Sequence, residues 1–139
     1  DDGVNFTQSR EDEYDVVIVD SSDPIGPAKS LFEKSFYQSI FKALKKDGLM
    51  VCQSQSPIFH RDVMQQTYQR IGELFDNLKL YTAVVPTYPG GLWSFTIGSK
   101  CYIDPDPARV SDKETRYVNK GIIEQCFSLP QFMLEGYPF

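Results

Sequence analysis

The run Val16-Val17-Ile18-Val19, preceded by Tyr14-Asp15 and closed by Asp20, most constrains what this chain can fold into. Four consecutive β-branched residues read as a strand buried on both faces, the signature of a parallel sheet in an α/β fold. The loop after it, Ser21-Ser22-Asp23-Pro24-Ile25-Gly26-Pro27-Ala28-Lys29, is stiffened by Pro24 and Pro27 around Gly26. Ligands of open α/β sheets bind beyond the carboxyl ends of the strands. Asp20 stands at such an end, and Asp23 follows in the stiff loop.

The rest of the chain fits the same class. Ser30-Leu31-Phe32-Glu33 has the form of a capping box, and Phe32, Phe36, Ile40, Ala43 and Leu44 recur at helical spacing. That helix is expected to end in solvated Lys45-Lys46-Asp47 and the turn at Gly48, before a second buried strand, Leu49 to Gln53. Met64, Tyr68, Ile71, Leu74 and Phe75 mark a second amphipathic helix, with His60 capping or solvating its start. Leu78 to Val85 reads as a third strand, stopped by Pro86-Thr87-Tyr88-Pro89-Gly90-Gly91. Trp93, Phe95 and Ile97 alternate with Ser94, Thr96 and Gly98, which gives a fourth strand with one dominant apolar face and Trp93 in the core. The short connection makes strands three and four antiparallel. Asp104-Pro105-Asp106-Pro107 then leads to short helices expected around Thr115 to Val118 and Ile122 to Phe127.

The order βαβαββ with a helical extension implies helices packed on a mostly parallel sheet. Asp1 to Gln8 enters a helix with no strand before it, and the chain opens without an initiator Met. It is therefore expected to be the second half of a doubly wound sheet, lacking the first βα turn where a glycine-rich cofactor loop would sit.

Composition narrows the chemistry. With 14 Lys+Arg against 19 Asp+Glu and a net charge of −5, the chain lacks the basic surface of a nucleic-acid binder. No apolar run is long enough to span a bilayer, and no secretory signal opens the chain. The three cysteines, Cys52, Cys101 and Cys126, have no metal-ligand spacing and read as reduced cytosolic thiols, and His60 is the single histidine.

Asp20, Ser21, Ser22 and Asp23 converge on one rigid element. Taken singly, Asp23-Pro24 is an Asx turn and Asp20 a strand end. Taken together, they suit a cation, and with no further hard ligands or imidazoles nearby an organic amine fits better than a metal. Tyr88, in its Pro/Gly turn, is either incidental or an aromatic face for an ammonium or methylene chain. Gln53 either ends a buried strand or supplies a hydrogen bond at the same level. Asp2-Gly3 forms an N-cap or lies near a nucleotide base.

At this point a family resemblance enters. Asp20 to Ala28 with Leu31-Phe32, and Pro86 to Gly91, closely resemble the signatures of spermidine synthases. Thr115-Arg116-Tyr117-Val118-Asn119 and Phe127 to Phe132 resemble that family's C-terminal region, and Leu92 to Lys100 has a bacterial style. The resemblance implies the C-terminal half of a Rossmann-like, methyltransferase-type sheet over residues 1–100, with helices on both faces and the last strand antiparallel. Residues 101–139 form a helical extension packed on it, and the family's N-terminal domain lies upstream.

The resemblance also implies aminopropyl transfer from decarboxylated S-adenosylmethionine to putrescine, giving spermidine and methylthioadenosine without a metal or prosthetic group. Asp20 matches the general base; Asp23, Ser21, Ser22, Gln53 and Tyr88 match the diamine side. Asp2, Gly3, Pro27 and Ala28 match the nucleoside side. A cytoplasmic homo-oligomer, dimer or tetramer, is implied for the full-length protein, with this fragment inactive alone. The alternatives are a spermine or thermospermine synthase, an amine N-methyltransferase of the same fold, or a non-catalytic polyamine-binding or subunit-interaction module.

Overall fold

The structure is a computed structural model that describes residues 2–101, 104 and 114–135. Its elements are α1 (Gly3–Gln8), β1 (Tyr14–Val19), a 3-10 helix (Gly26–Phe32), α2 (Lys34–Ala43), β2 (Leu44–Gln53) and α3 (Arg61–Gly72). There follow β3 (Asn77–Val84), β4 (Leu92–Ser99), α4 (Lys120–Cys126) and α5 (Gln131–Leu134). The sheet order is β1-β2-β4-β3, with β1 parallel to β2 and β4 antiparallel to both of its neighbours. The last strand is thus inserted between β2 and β3, and the other three share one direction.

The core lies under one face of this sheet. Phe36, Tyr37 and Ile40 of α2, Ile71 of α3 and the following Phe75 pack against Leu44, Met50 and Cys52 of β2. Tyr37 Oη lies 3.8 Å from Cys52 Sγ, and both side chains are fully buried. Met133 of α5 is buried with Met64 and Leu80. On the opposite face Tyr81 and Phe95 stack with ring centroids 5.0 Å apart, and Phe127, just after α4, packs against Tyr81.

Several expectations change. β1 is buried on one face only: Val16 and Ile18 are 51% and 74% exposed, because no described element covers their side or pairs with the outer edge of β1. The expected capping box does not form. Pro27 enters a 3-10 helix instead, Ser30 Oγ donates back to Pro27 O at 2.9 Å, and extended Glu33 precedes α2 with no side-chain cap. α2 stops at Ala43, and β2 begins at Leu44, paired with Tyr14. Lys45-Lys46-Asp47-Gly48 is an irregularity inside this pairing rather than a helix end, and Lys45 Nζ binds Asp15 Oδ2 at 2.8 Å.

The fourth strand also buries the face the sequence makes polar. Ser94 and Thr96 are fully buried, whereas Phe95 and Ile97 are only half-buried. Gly98 explains how: a Cβ there would come within 2.7 Å of Phe75 and 2.8 Å of Ile71, so the bare backbone admits α3. Thr115 to Val118 is not a helix, because Asn119 caps the next one by accepting from Ile122 N at 2.9 Å. Pro105, Asp106 and Pro107 lie outside the described residues.

Candidate functional site

Three loops at the carboxyl ends of β1, β2 and β3 build the site; hydrogen bonds join the first two to each other and to the start of β4, and the third meets Trp93 through the Tyr88 ring. Gln53 closes β2, with 6% of its surface exposed. Its Nε2 donates to Ser21 O at 3.0 Å, and its Oε1 accepts from Trp93 Nε1 and from Gln55 N, each at 3.0 Å. One side chain thereby connects the loop after β1, the loop after β2 and the start of β4. Such a buried amide, bonded at both its nitrogen and its oxygen, fixes geometry more than it supplies binding.

The loop after β2 is held from the other side by β4. Ser54 N donates to Ser94 O at 2.8 Å, and Ser94 N donates to Gln55 O at 3.0 Å. Ser94 Oγ donates to Gln55 O at 2.7 Å, and the Ser54 and Thr96 hydroxyls share a hydrogen bond of 2.7 Å. This pairing explains the burial of the polar face of β4. It also holds Gln55 at φ 71°, a left-handed conformation uncommon for a side chain of this size. Gln55 Nε2 donates to Asp23 Oδ1 at 2.8 Å.

The loop after β3 carries Tyr88. Tyr88 N donates to Val85 O and Gly91 N to Tyr88 O, both at 3.0 Å, while Gly90 and Gly91 take φ values of 76° and 69°. The Tyr88 ring lies 4.3 Å from that of Trp93, centroid to centroid. Trp93 is buried, as expected of a core residue, but it also walls the site.

The candidate residues divide among adjoining cavities. A cavity of about 730 Å³ is bordered by Ser21, Ser22, Asp23, Gln53 and Tyr88, together with Gln55, Ser56, Phe59, His60 and Trp93. Asp20 borders a smaller one of about 340 Å³ with Gln53, Tyr88 and Trp93. It also borders a third of about 390 Å³ that includes Gly3, Ser21 and Leu31. Asp2, Gly3, Pro27 and Ala28 share a fourth of about 450 Å³ with Ser22 and Ile25. Asp2 is also the N-cap of α1, its Oδ1 accepting from Val4 N at 2.8 Å.

Below the site the Cys52 thiol is pushed up to about 12, chiefly by burial, with the Asp20 carboxylate adding to the effect. No group of three or more potential metal ligands occurs among the described residues. No helix among them is long and apolar enough to cross a membrane.

Sequence reasoning missed Gln55, the partner of Asp23, and the wall formed by Ser56, Phe59 and Trp93. Gln55 lies two residues past Gln53, a signal that was available, but nothing local announces its left-handed backbone. His60 does stand at the start of α3, without a side-chain capping bond, and it also borders the cavity of about 730 Å³.

An open mixed α/β sheet of this order, with cavities at the carboxyl ends of its strands, is a Rossmann-like fold of the methyltransferase type. A family model described as the spermine/spermidine synthase domain matches residues 1–106, and the chain belongs to that family. It is 47% identical over 136 residues to a polyamine aminopropyltransferase of Bacillus subtilis, covering 96% of this chain and 49% of that protein. A second such protein, from Caldicellulosiruptor bescii, is 42% identical with the same coverage. Among solved structures, a spermidine synthase in complex with the transition-state analogue AdoDATO aligns at TM-score 0.86 and 36% identity, covering 94% of this chain and 46% of that one. The spermidine synthase of Thermotoga maritima aligns at 0.85 and 35%, covering 95% and 46%. The chain spans about half the length of the curated relatives it matches.

Proposed function

We propose that the protein carrying this sequence transfers an aminopropyl group from decarboxylated S-adenosylmethionine to putrescine, with Asp20 as the general base. The observation that carries the reading is the position of Asp20 between two cavities. One is shared with Gln53, Tyr88 and Trp93, the other with Gly3 and Leu31. A group at that junction can reach both an acceptor nitrogen and the carbon it attacks. The printed names of the relatives support the same reaction class.

Putrescine amines, like a lysine side chain, hold their protons up to a pH of about 10, so they arrive as ammonium groups without a lone pair to donate. In this reading Asp23 and the Tyr88 face hold one end of the diamine, with Ser21, Ser22 and Gln53 around it. Asp20 takes a proton from the other end. The freed nitrogen pair attacks the aminopropyl carbon next to sulfur, the carbon–sulfur bond breaks, and its electrons stay on sulfur as the thioether of methylthioadenosine. The sulfonium is a good leaving group, so alignment of nitrogen, carbon and sulfur supplies most of the rate. In this reading Asp2, Gly3, Pro27 and Ala28 line the nucleoside side.

The test is Asp20→Asn in the protein at the full length of its relatives, with products identified by mass spectrometry for putrescine and spermidine acceptors and both sulfonium donors. Turnover with putrescine should fall by about a hundredfold or more while the melting temperature holds. Near-normal turnover in that variant removes Asp20 as the base, and methyl transfer in place of aminopropyl transfer removes the reaction.

A further inference from the structure

We propose that Gln55 is the positioning residue of the acceptor end of this site, fixing the Asp23 carboxylate that receives the far ammonium of the diamine; this deepens the aminopropyl-transfer reading and rests on it. Asp23 is exposed, on a loop whose next residue, Pro24, offers no backbone N–H. A carboxylate so placed would sample several rotamers unless a neighbour chose one for it. Gln55 Nε2 makes that choice, donating to Asp23 Oδ1 at 2.8 Å.

Gln55 is built for the task at some cost. It is 1% exposed and held at φ 71°. Its N–H is bound by Gln53 Oε1, and its carbonyl by Ser94 N and Ser94 Oγ. Strain of this kind persists only where surrounding bonds enforce it, and it gathers at functional sites. A carboxylate only accepts, so the amide must turn its nitrogen to Asp23 and its oxygen away.

That oxygen supplies a second, independent observation. Gln55 Oε1 is buried with no hydrogen-bond partner among the described residues, and so is Ser21 Oγ. Both residues border the cavity of about 730 Å³ that Asp23 also borders. Both atoms are also closed to water, so this wall of the cavity is held by packing and by the Asp23 contact rather than by solvent. Asp23 carries the only charge of the three side chains, and Gln55 acts on the ammonium through it.

The test uses the full-length protein and three variants. Gln55→Asn keeps the amide and tolerates the left-handed backbone, but it is one methylene too short to reach Asp23. Gln55→Met keeps the length and removes the polarity. In both, KM for putrescine should rise about tenfold while KM for decarboxylated S-adenosylmethionine stays within about twofold. Gln55→Glu sets two carboxylates against each other, so one of them holds its proton to higher pH. KM for putrescine in that variant should acquire an added ionisation, falling as pH rises through it, which a merely structural role would not produce.

Unchanged KM for putrescine in the Asn variant, an equal rise in both KM values, or no added ionisation in the Glu variant overturns the proposal. Calorimetry with putrescine separates it from the reading beneath it. If the wild type binds putrescine without turnover, the transfer reading fails. In that case about tenfold weaker binding by Gln55→Asn sustains the role of Gln55, and equal binding overturns it. A wild type that binds no putrescine overturns both.

Discussion

Trp93 Nε1 donates to Gln53 Oε1 across forty residues of sequence, and the same oxygen accepts from Gln55 N. A residue at the start of β4 thereby sets the side chain that closes β2. Trp93→Phe keeps a ring beside Tyr88 and removes the donor. The lost hydrogen bond should cost about 1 kcal/mol, read as a lower urea midpoint at unchanged slope. KM for putrescine should rise in the same variant, and a stability loss without that rise would confine Trp93 to the core.

Asp23→Asn keeps the shape of the loop and removes its charge. In the full-length protein, KM for putrescine should rise by about tenfold or more, and KM for the nucleoside donor far less. Steady-state kinetics with each substrate varied in turn gives both numbers, and equal rises would contradict an acceptor-side role.

The three thiols should differ sharply in reactivity. Cys101 is exposed, Cys126 half-buried and Cys52 buried, with burial pushing the Cys52 thiol up to about 12. Because the thiolate is the reactive form, iodoacetamide at pH 8 should label Cys101 first and leave Cys52 unlabelled until the protein unfolds. Peptide mapping by mass spectrometry reads the order, and early labelling of Cys52 would mean that the core under β2 opens readily.

The same buried pair predicts alkaline sensitivity. Burial chiefly, with the Cys52 thiol beside it, raises the Tyr37 hydroxyl well above its ordinary value, and Cys52 itself is raised from 9.0 to about 12. Between those values the unfolded chain releases the Cys52 proton and the native chain keeps it. The native state then binds more protons, so stability falls as pH rises. Urea midpoints measured from pH 8 to 10.5 should decline, and a flat profile would contradict the burial of the pair.

Gly98→Ala probes the contact between β4 and α3. Its Cβ would lie 2.7 Å from Phe75 Cδ2 and 2.8 Å from Ile71 Cγ2, and both side chains are buried. Overpacking should cost about 1–3 kcal/mol, visible as a drop in melting temperature.

Much of this arrangement was legible in the residues. The β-branched run before Asp20 announced β1, the Pro/Gly loop after it announced rigidity, and the turn around Tyr88 announced the antiparallel return of β4. What misled was the assumption that apolar residues mark the buried face. On β4 the buried face is Ser94, Thr96 and Gly98, because hydroxyls that bond to the loop after β2 and a missing side chain fit beneath α3 better than bulk would. Helix ends were misplaced where tertiary contacts outweighed local signals. Ser30 resembles a cap, yet its hydroxyl turns back to Pro27, and Leu44 leaves α2 early to pair with Tyr14. The pairing of Gln55 with Asp23 joins residues thirty-two positions apart, a relation that no local pattern encodes.

The insertion of β4 between β2 and β3 has a consequence for the order of events during folding. β3 pairs only with β4 among the described residues, and the second edge of β2 waits for that same strand. Until Leu92–Ser99 has left the ribosome, the two earlier strands have no way to join, and both expose edges suited to mispairing. Trp93 and Ser94, the residues that lock Gln53 and Gln55, arrive on that closing strand. Among the described strands, completion of the sheet and formation of the hydrogen-bond network around Gln53 and Gln55 are therefore a single event, and a nascent chain stalled before it has neither.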